Sequence, residues 1–429
     1  MRLDREHAHA LDAADPLAAW HDRFVLPRDP VDGRELVYLC GHSLGAQPVL
    51  AADYVEEVMR DWRSLGVEGH FGGRFPWMTY HARLAAPLAE LAGAETEEVV
   101  AMNTLTTNLH LMLASFYRPS GARTAILIER GAFPSDRHAV ESQVLWHGLD
   151  PARDLIEVAP RAGEDLLRTE DLVATIEREG PHLATILLPG VQYLTGQVLD
   201  IDSITAAGRR AGCRVGWDLA HAIGNVPLRL HDADADFAVW CNYKYLNGGP
   251  GAIGGAFVHA RHARDAALPR LAGWWGHDPT TRFLMAPEFR ATPGADGWQV
   301  SNPPILAMAP LAASLQHFAA VGFDALRTKS IALTGYFEAL VRERLAGRVT
   351  IVTPSAPEQR GAALSLRLLG VERDRAQRAF DGLRRRGILP DWREPDVIRA
   401  APVPFYNRYD DVWRCVDALD AEVAKAAPA

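Results

Sequence analysis

From about residue 95 the chain alternates short apolar runs with stretches of helix-forming composition. Thr124–Ile128, Ala184–Leu188, Arg214–Trp217, Phe237–Trp240 and Ala256–Val258 read as strands. Several are apolar throughout, the pattern of strands covered on both faces in a mainly parallel sheet. Ile201–Ala211 is helix-forming and lies between two of them, giving a strand–helix–strand unit with Asp218 at the end of its second strand. Before this region, residues 49–63 and, more weakly, 81–92 carry apolar side chains at helical spacing. After it, Asn302-Pro303-Pro304 marks a stop before a helical region at about 306–346. Val349–Val352, Leu364–Leu369 and Val397–Arg399 then read as strands and Arg373–Arg386 as a helix, a smaller α+β unit. The first fifty residues hold several Pro and Gly and no long amphipathic helix, so they read as an arm. The expected division is an arm over 1–50 packing with the small domain, a large α/β domain over 51–310, and a small C-terminal domain over 311–429.

At 429 residues the chain exceeds the size at which one core stops growing, which fits two domains. A net charge of −9 provides no basic footprint for nucleic acid. No apolar run approaches the length of a membrane span, and the amino terminus mixes acids, bases and histidines where a signal peptide needs an apolar stretch. The four cysteines (Cys40, Cys213, Cys241 and Cys415) are scattered and form no C-x-x-C pair, as in reduced cytosolic proteins. Of sixteen histidines, only His259 and His262 sit at metal-binding spacing. They follow a strand-like segment with no nearby carboxylate or cysteine, so no metal is expected.

The densest chemistry lies between 190 and 255. Asp218 stands just beyond an apolar strand, where ligands of open α/β sheets bind, and His221 follows three residues later. Lys244 sits among aromatic and apolar neighbours before the turn Gly248-Gly249-Pro250-Gly251. Taken singly, Asp218 reads as a strand-end residue capping a helix and Lys244 as a surface lysine. Together they match the demands of pyridoxal phosphate. A neutral lysine attacks the aldehyde as a Schiff-base former, and a carboxylate keeps the pyridine nitrogen protonated so that the ring draws in electrons. Gly249-Pro250-Gly251-Ala252-Ile253-Gly254 formally matches the dinucleotide fingerprint, but it follows a polar stretch and runs into a strand-like segment instead of opening a helix. Asn103–Leu109 is rich in hydroxyls before a helical run, which suits either phosphate binding at a helix amino terminus or simple N-capping. Phe133 could lie on a cofactor ring or pack in the core.

These residues sit in longer motifs that resemble kynureninase, a pyridoxal-phosphate hydrolase of fold type I in the class V aminotransferase branch. The motifs run along nearly the whole chain: Cys40–Gly45, Asn108–His110, Phe133–Asp136, Val191–Gln197, Asp218–Asn225, Tyr243–Asn247, Gly273–His277, Ser301–Ile305 and Arg399–Asn407. Fold type I alone would account only for Asp218 and Lys244.

The resemblance implies that Lys244 forms the Schiff base and then moves protons, with Tyr243 a proton donor beside it. It implies Asp218 at the pyridine nitrogen with Asp136 and His221 nearby, and Phe133 stacked on the ring. Leu105, Thr106 and Tyr243 would contact the phosphate, while Trp274 and Asn302 would reach in from the partner subunit of a homodimer. Arg399 would clamp the substrate α-carboxylate, with Ser43, His70 and Asn302 also at the substrate. The implied reaction converts L-kynurenine and water to anthranilate and L-alanine in tryptophan catabolism and NAD biosynthesis, in the cytoplasm. His70 and Asn302 resemble the forms that accept the 3-hydroxylated substrate. Pro189 departs from the pattern, since a small hydroxyl residue is expected there near the phosphate, and Trp275 replaces what is often phenylalanine. The alternatives are another class V enzyme, an aminotransferase or a cysteine desulfurase with a mobile catalytic cysteine, or a non-catalytic cofactor-binding regulator.

Overall fold

The structure, a computed structural model, describes residues 3–426 apart from 264 and 266. Seven strands form the central sheet: β1 (Val99–Ala101), β2 (Ala125–Glu129), β3 (Leu155–Val158), β4 (Leu183–Pro189), β5 (Arg214–Asp218), β6 (Phe237–Cys241) and β7 (Gly254–Val258). Their order is β1-β7-β6-β5-β4-β2-β3, and only β7 runs antiparallel to its neighbours. Every residue of β2, β6 and β7 is buried. The pleat explains why apolar runs suit these strands: Leu127, Trp217, Ala238 and Trp240 enter one core, while Ile126, Ile128, Phe237 and Val239 enter another on the opposite face. The five strand expectations hold to within two residues. The adjacent strands β2, β4 and β5 end together at Glu129, Pro189 and Asp218, and Pro189 pairs directly with Asp218. The carboxyl edge of the sheet therefore presents a carboxylate-rich floor where open α/β sheets take their ligands.

The expected helices appear at Ala51–Leu65, Ala82–Ala92 and Ile201–Arg210. The region at 306–346 is two helices, Ile305–Val321 and Phe323–Arg344, bent by 85°. The break is Gly322 at φ +81°, a conformation that costs glycine little and side-chain-bearing residues much. No single described helix is long and apolar enough to cross a membrane.

Four antiparallel strands build the second sheet: β8 (Val349–Ile351), β9 (Leu364–Leu368), β10 (Asp391–Arg393) and β11 (Val397–Ala400), in the order β8-β9-β11-β10. Helices Phe323–Arg344, Arg373–Arg385 and Tyr409–Ala426 share its core. Ala8, Val37 and Leu39 of the amino-terminal segment enter the same core, and Val37–Tyr38 pairs with Ile388–Leu389.

That segment opens with a ten-residue helix, Arg5–Ala14, which the apolar pattern had not shown because only Ala8 is buried in it. Polar contacts anchor the helix. Asp12 accepts the backbone N–H groups of Tyr409 and Asp410, and Lys329 pairs with Asp15 at 2.7 Å where both side chains are buried.

Candidate active site

Lys244 lies in the loop joining β6 to β7, and polar side chains fix that loop. Asn242 donates to the carbonyl of Ile253 at 2.6 Å and accepts from the Trp240 indole at 3.0 Å. The Asn247 N–H returns to the Lys244 carbonyl at 2.9 Å. Gly249 and Gly251 have φ of +84° and +71°, and Gly254 opens β7, so the glycine-rich stretch is a turn into a strand and no nucleotide-binding helix begins there. From the amino-terminal segment, the Gly45 N–H donates to the Tyr243 carbonyl at 2.8 Å. A Cβ on Gly45 would stand 2.3 Å from the Lys244 carbonyl oxygen, so only glycine permits this approach.

The lysine amine reaches into a cavity of about 130 Å³, whose walls include Leu105, Thr106, Phe133, Asp136, Asp218, His221 and Tyr243. Its Nζ is 2.9 Å from His221 Nε2, 5.9 Å from the Phe133 ring centre and 6.0 Å from that of Tyr243. Burial, aided by the Lys244 charge, lowers the His221 pKa well below the usual histidine value, so its ring is neutral and can accept from the lysine ammonium. Asp218 Oδ1 accepts the Ala220 N–H at 2.6 Å, which holds the carboxylate at the strand end. Burial raises the Tyr243 pKa, so the phenol keeps its proton and remains a donor.

Helix Leu105–Phe116 brings its first turn, Leu105 and Thr106, to the cavity wall. The side chain of its N-cap residue, Thr104, makes no capping hydrogen bond. Those amide N–H groups are thus left available for an anion, which favours the phosphate reading over simple capping. Thr106 Oγ1 meets Ser135 Oγ at 2.6 Å. Ser135, which lines the cavity at the start of helix Pro134–Trp146, is a site residue that the sequence reading passed over between Phe133 and Asp136. Pro189 lines the same wall and offers no hydroxyl. The set fits pyridoxal phosphate: one lysine for the aldehyde, carboxylates for the ring nitrogen, an aromatic face, and a helix start with hydroxyls for the phosphate. The buried Asp136 Oδ1 has no hydrogen-bond partner, a vacancy suited to a donor.

A second cluster borders this cavity. Arg399 on β11 is 1% exposed, and its guanidinium donates to Asp391 and to the Tyr193 carbonyl, with Ser43 Oγ 3.5 Å away. Ser43 donates to Asp391 at 2.9 Å, and His42 Nε2 lies 3.4 Å from the same carboxylate oxygen. The His42 ring stands 6.4 Å from that of His221, which ties this cluster to the lysine. Burial, with Arg399 nearby, lowers the His42 pKa to about 4, so it is neutral. Asp391 sits directly across the β10–β11 pair from Arg399, and sequence reasoning missed it.

Three expected residues are not brought to the lysine within one chain. His70 lies in the turn Gly66–His70, bonded to the Val67 carbonyl at 3.0 Å and edge-on to Trp77. Trp274 is 43% exposed, donating to the Arg282 carbonyl at 3.2 Å, and Asn302 is exposed. The expectation that His259 and His262 have no carboxylate nearby is corrected by the fold. His262 meets Asp236 at 2.6 Å, and His259 stands 3.4 Å from Glu98 and 3.2 Å from Asp234. These acids come from distant parts of the chain, so spacing could not show them.

Comparison with known proteins follows the same lines. The model of the kynureninase C-terminal domain matches residues 326–419. A kynureninase of Stenotrophomonas maltophilia is 56% identical over 419 residues, covering 98% of each chain. One from Xanthomonas campestris pv. campestris is 56% identical over 422 residues, covering 98% of this chain and 99% of its own. Among solved structures, a variant of the C–S lyase C-DES with glycine linked to its PLP cofactor superposes with a TM-score of 0.75 at 18% identity, covering 91% of this chain and 97% of its own. The Escherichia coli cysteine desulfurase CsdA gives 0.74 at 18% identity over 96% and 99%. Likeness at that identity establishes the fold alone.

Proposed function

The chain belongs to the kynureninase family, and we propose from that premise that it hydrolyses L-kynurenine, or its 3-hydroxy form, to the anthranilate and L-alanine. The observation that carries this reading is Lys244 Nζ in one cavity with Asp218 and His221, bordered by the Arg399 cluster. When bound, pyridoxal phosphate supplies the electron sink that makes carbon–hydrogen and carbon–carbon cleavage accessible.

This chain's own residues do the rest. Arg399 holds the substrate carboxylate and thereby fixes the α-carbon beneath the lysine. Lys244 Nζ, oriented by the neutral His221 ring at 2.9 Å, takes the α-proton. Asp218 keeps positive charge on the ring nitrogen. Tyr243, still protonated, delivers a proton to the β-carbon released on cleavage.

A desulfurase or aminotransferase is not favoured. A persulfide-forming cysteine needs an accessible thiolate, whereas Cys213, Cys241 and Cys415 are buried and burial pushes the Cys40 thiol up to about 12.

The test is to mix cofactor-loaded protein with L-kynurenine and with 3-hydroxy-L-kynurenine and to quantify both products. Equimolar aromatic acid and alanine are expected, and the kcat/KM ratio identifies the preferred ring. Absence of cleavage despite bound cofactor would refute the assignment. The reading places the enzyme in the cytoplasm, in tryptophan breakdown or NAD supply.

It also includes a homodimer in which Trp274 and Asn302, with half-buried His70, serve the neighbouring subunit's site, which the exposure of the first two supports. A hybrid dimer pairing a Lys244→Ala chain with a Trp274→Ala/Asn302→Ala chain would then keep one complete site of two. Roughly half the wild-type activity is expected from purified hybrid, while both parent dimers are nearly inactive. A hybrid no better than its parents would show that each site is built within one chain.

A further inference from the structure

The segment that carries Trp274 is fastened by a buried arginine. Arg282 opens the turn Arg282–Leu284 and is 6% exposed, yet among the described residues no carboxylate forms an ion pair with it. Its guanidinium turns to the main chain, where Nη2 donates to the carbonyls of Trp275 at 2.6 Å and His277 at 3.0 Å. Its Cζ lies 4.5 Å from the centre of the Trp275 ring. The main-chain carbonyl of the same residue accepts the Trp274 indole N–H at 3.2 Å, and the ring of Phe283 meets that indole edge-on at 5.4 Å. Three residues of the loop then hold His277: Thr281 Oγ1 stands 3.0 Å from Nε2, the Arg290 N–H donates to Nδ1 at 3.0 Å, and Thr292 Oγ1 donates to the carbonyl at 3.1 Å. A buried cation without an acid is a costly fastener, and a neutral donor could serve one carbonyl at less expense. What the guanidinium adds is rigidity, since one planar group bonds two carbonyls and lies against an indole at once. The indole held so firmly does not pack into its own chain. Trp274 is nearly half exposed, and Phe283, Leu284 and Met285 beside it are exposed as well.

We propose that Arg282 is a positioning residue that acts across the dimer: it fixes Trp274 for the cofactor site of the neighbouring subunit and contributes little to the site of its own chain. The inference rests on the reading above in which Trp274 serves the neighbouring subunit. The physical reason is pre-organisation. An aromatic side chain locked before the subunits meet loses little freedom when it seats against a bound group. Without the guanidinium, the Trp275 carbonyl loses its side-chain donor and the His277 carbonyl keeps only Thr292. The segment 274–277 then loosens, and the indole with it. The lysine site within the same chain shares none of these contacts, because its cavity is walled by Leu105, Phe133, Asp218 and the loop around Lys244.

The experiment compares two purified hybrid dimers of full-length chains, each titrated with pyridoxal 5′-phosphate. A Lys244→Ala chain gives no visible cofactor band, so the band in each hybrid reports the other chain's site alone. The first hybrid pairs an Arg282→Met chain with a Lys244→Ala chain, and its working site takes Trp274 from the chain that keeps Arg282. The second pairs a wild-type chain with a Lys244→Ala/Arg282→Met chain, and its working site takes Trp274 from the chain that lacks Arg282. The reference is the hybrid of wild type with Lys244→Ala. The first is expected to match the reference in half-saturating cofactor concentration and in kcat/KM. The second is expected to need at least about tenfold more cofactor and to show a kcat/KM about tenfold lower, within the range for a positioned group that loses its geometry. The reverse pattern would place the effect of Arg282 within its own subunit and overturn the proposal, as would equal loss in both hybrids or loss in neither. Should the methionine variant not fold, Arg282→Lys goes through the same hybrids with the same asymmetry expected, and a symmetric result overturns the proposal. Failure of the Trp274→Ala/Asn302→Ala hybrid to regain activity would instead refute the shared site itself, so the two failures are distinguishable.

Discussion

Lys244→Ala is expected to abolish the visible absorption band of the bound cofactor and to lower kcat by at least about 10³-fold, the upper part of the range for a group that moves a proton in the rate-limiting step. The site's geometry explains why no neighbour substitutes. Among the described residues Nζ is the only amine lining the cavity, and its partner His221 is held neutral by burial, with no covalent chemistry toward an aldehyde. The variant should still fold, because Lys244 is in a loop whose shape depends on Asn242, Asn247 and backbone hydrogen bonds. The uncapped start of helix Leu105–Phe116, proposed to take the phosphate, does not involve the lysine, so cofactor should still associate, with weaker affinity and a free-aldehyde spectrum. Absorption spectroscopy and single-turnover kinetics on the same preparation check both halves. An unaltered spectrum would remove Lys244 from its role. Loss of folding, seen by circular dichroism, would leave the spectral change unexplained by chemistry.

What the sequence showed and what it hid follows from the range of the interactions involved. Asp218, His221 and Lys244 were legible because strand ends and a glycine turn mark them locally, Tyr243 came only through the family resemblance, and the fold brings all four into one cavity. The large sheet was legible for a similar reason: strands buried on both faces must be apolar at every position. The short polar strand Asp391–Arg393 carries no such signature, so its acid was overlooked although it stands across a hairpin from Arg399. The spacing of eight residues around a turn would have been the available clue. Helix Arg5–Ala14 was hidden because side-chain hydrogen bonds and ion pairs hold it more than apolar burial does. Glu129 looked like the polar end of an apolar run. Only the adjacency of β2, β4 and β5 reveals that it joins two other acids. Periodicity reports a residue's own environment, and such groups acquire meaning from partners far away in the chain.

Arg399→Ala is expected to lower kcat/KM by roughly 10²- to 10³-fold, mostly through KM, with the cofactor band unchanged. The estimate corresponds to the loss of about 3–4 kcal/mol, within the range for removing one member of a buried, hydrogen-bonded charge pair. The direction follows from position. Arg399 borders the cofactor cavity through Ser43 and His42 without being one of its lining residues. Its guanidinium is 1% exposed and already oriented by Asp391 and the Tyr193 carbonyl, so little freedom is lost when a substrate carboxylate arrives. Nε has no partner in the free protein, which leaves one planar donor in reserve. A lysine cannot reproduce this arrangement, since its ammonium has no fork to meet two carboxylate oxygens while bonding Asp391. Arg399→Lys should therefore recover less than a tenth of the lost kcat/KM. Removing the guanidinium also leaves Asp391 paired only with Ser43, His42 and Arg393, the last at 3.2 Å, so a fall in Tm should accompany the kinetic loss. Steady-state kinetics on cofactor-saturated variants separate these effects. A fall in kcat with KM unchanged would place Arg399 outside substrate recognition, and cofactor loss as the main effect would place it in the cofactor pocket instead.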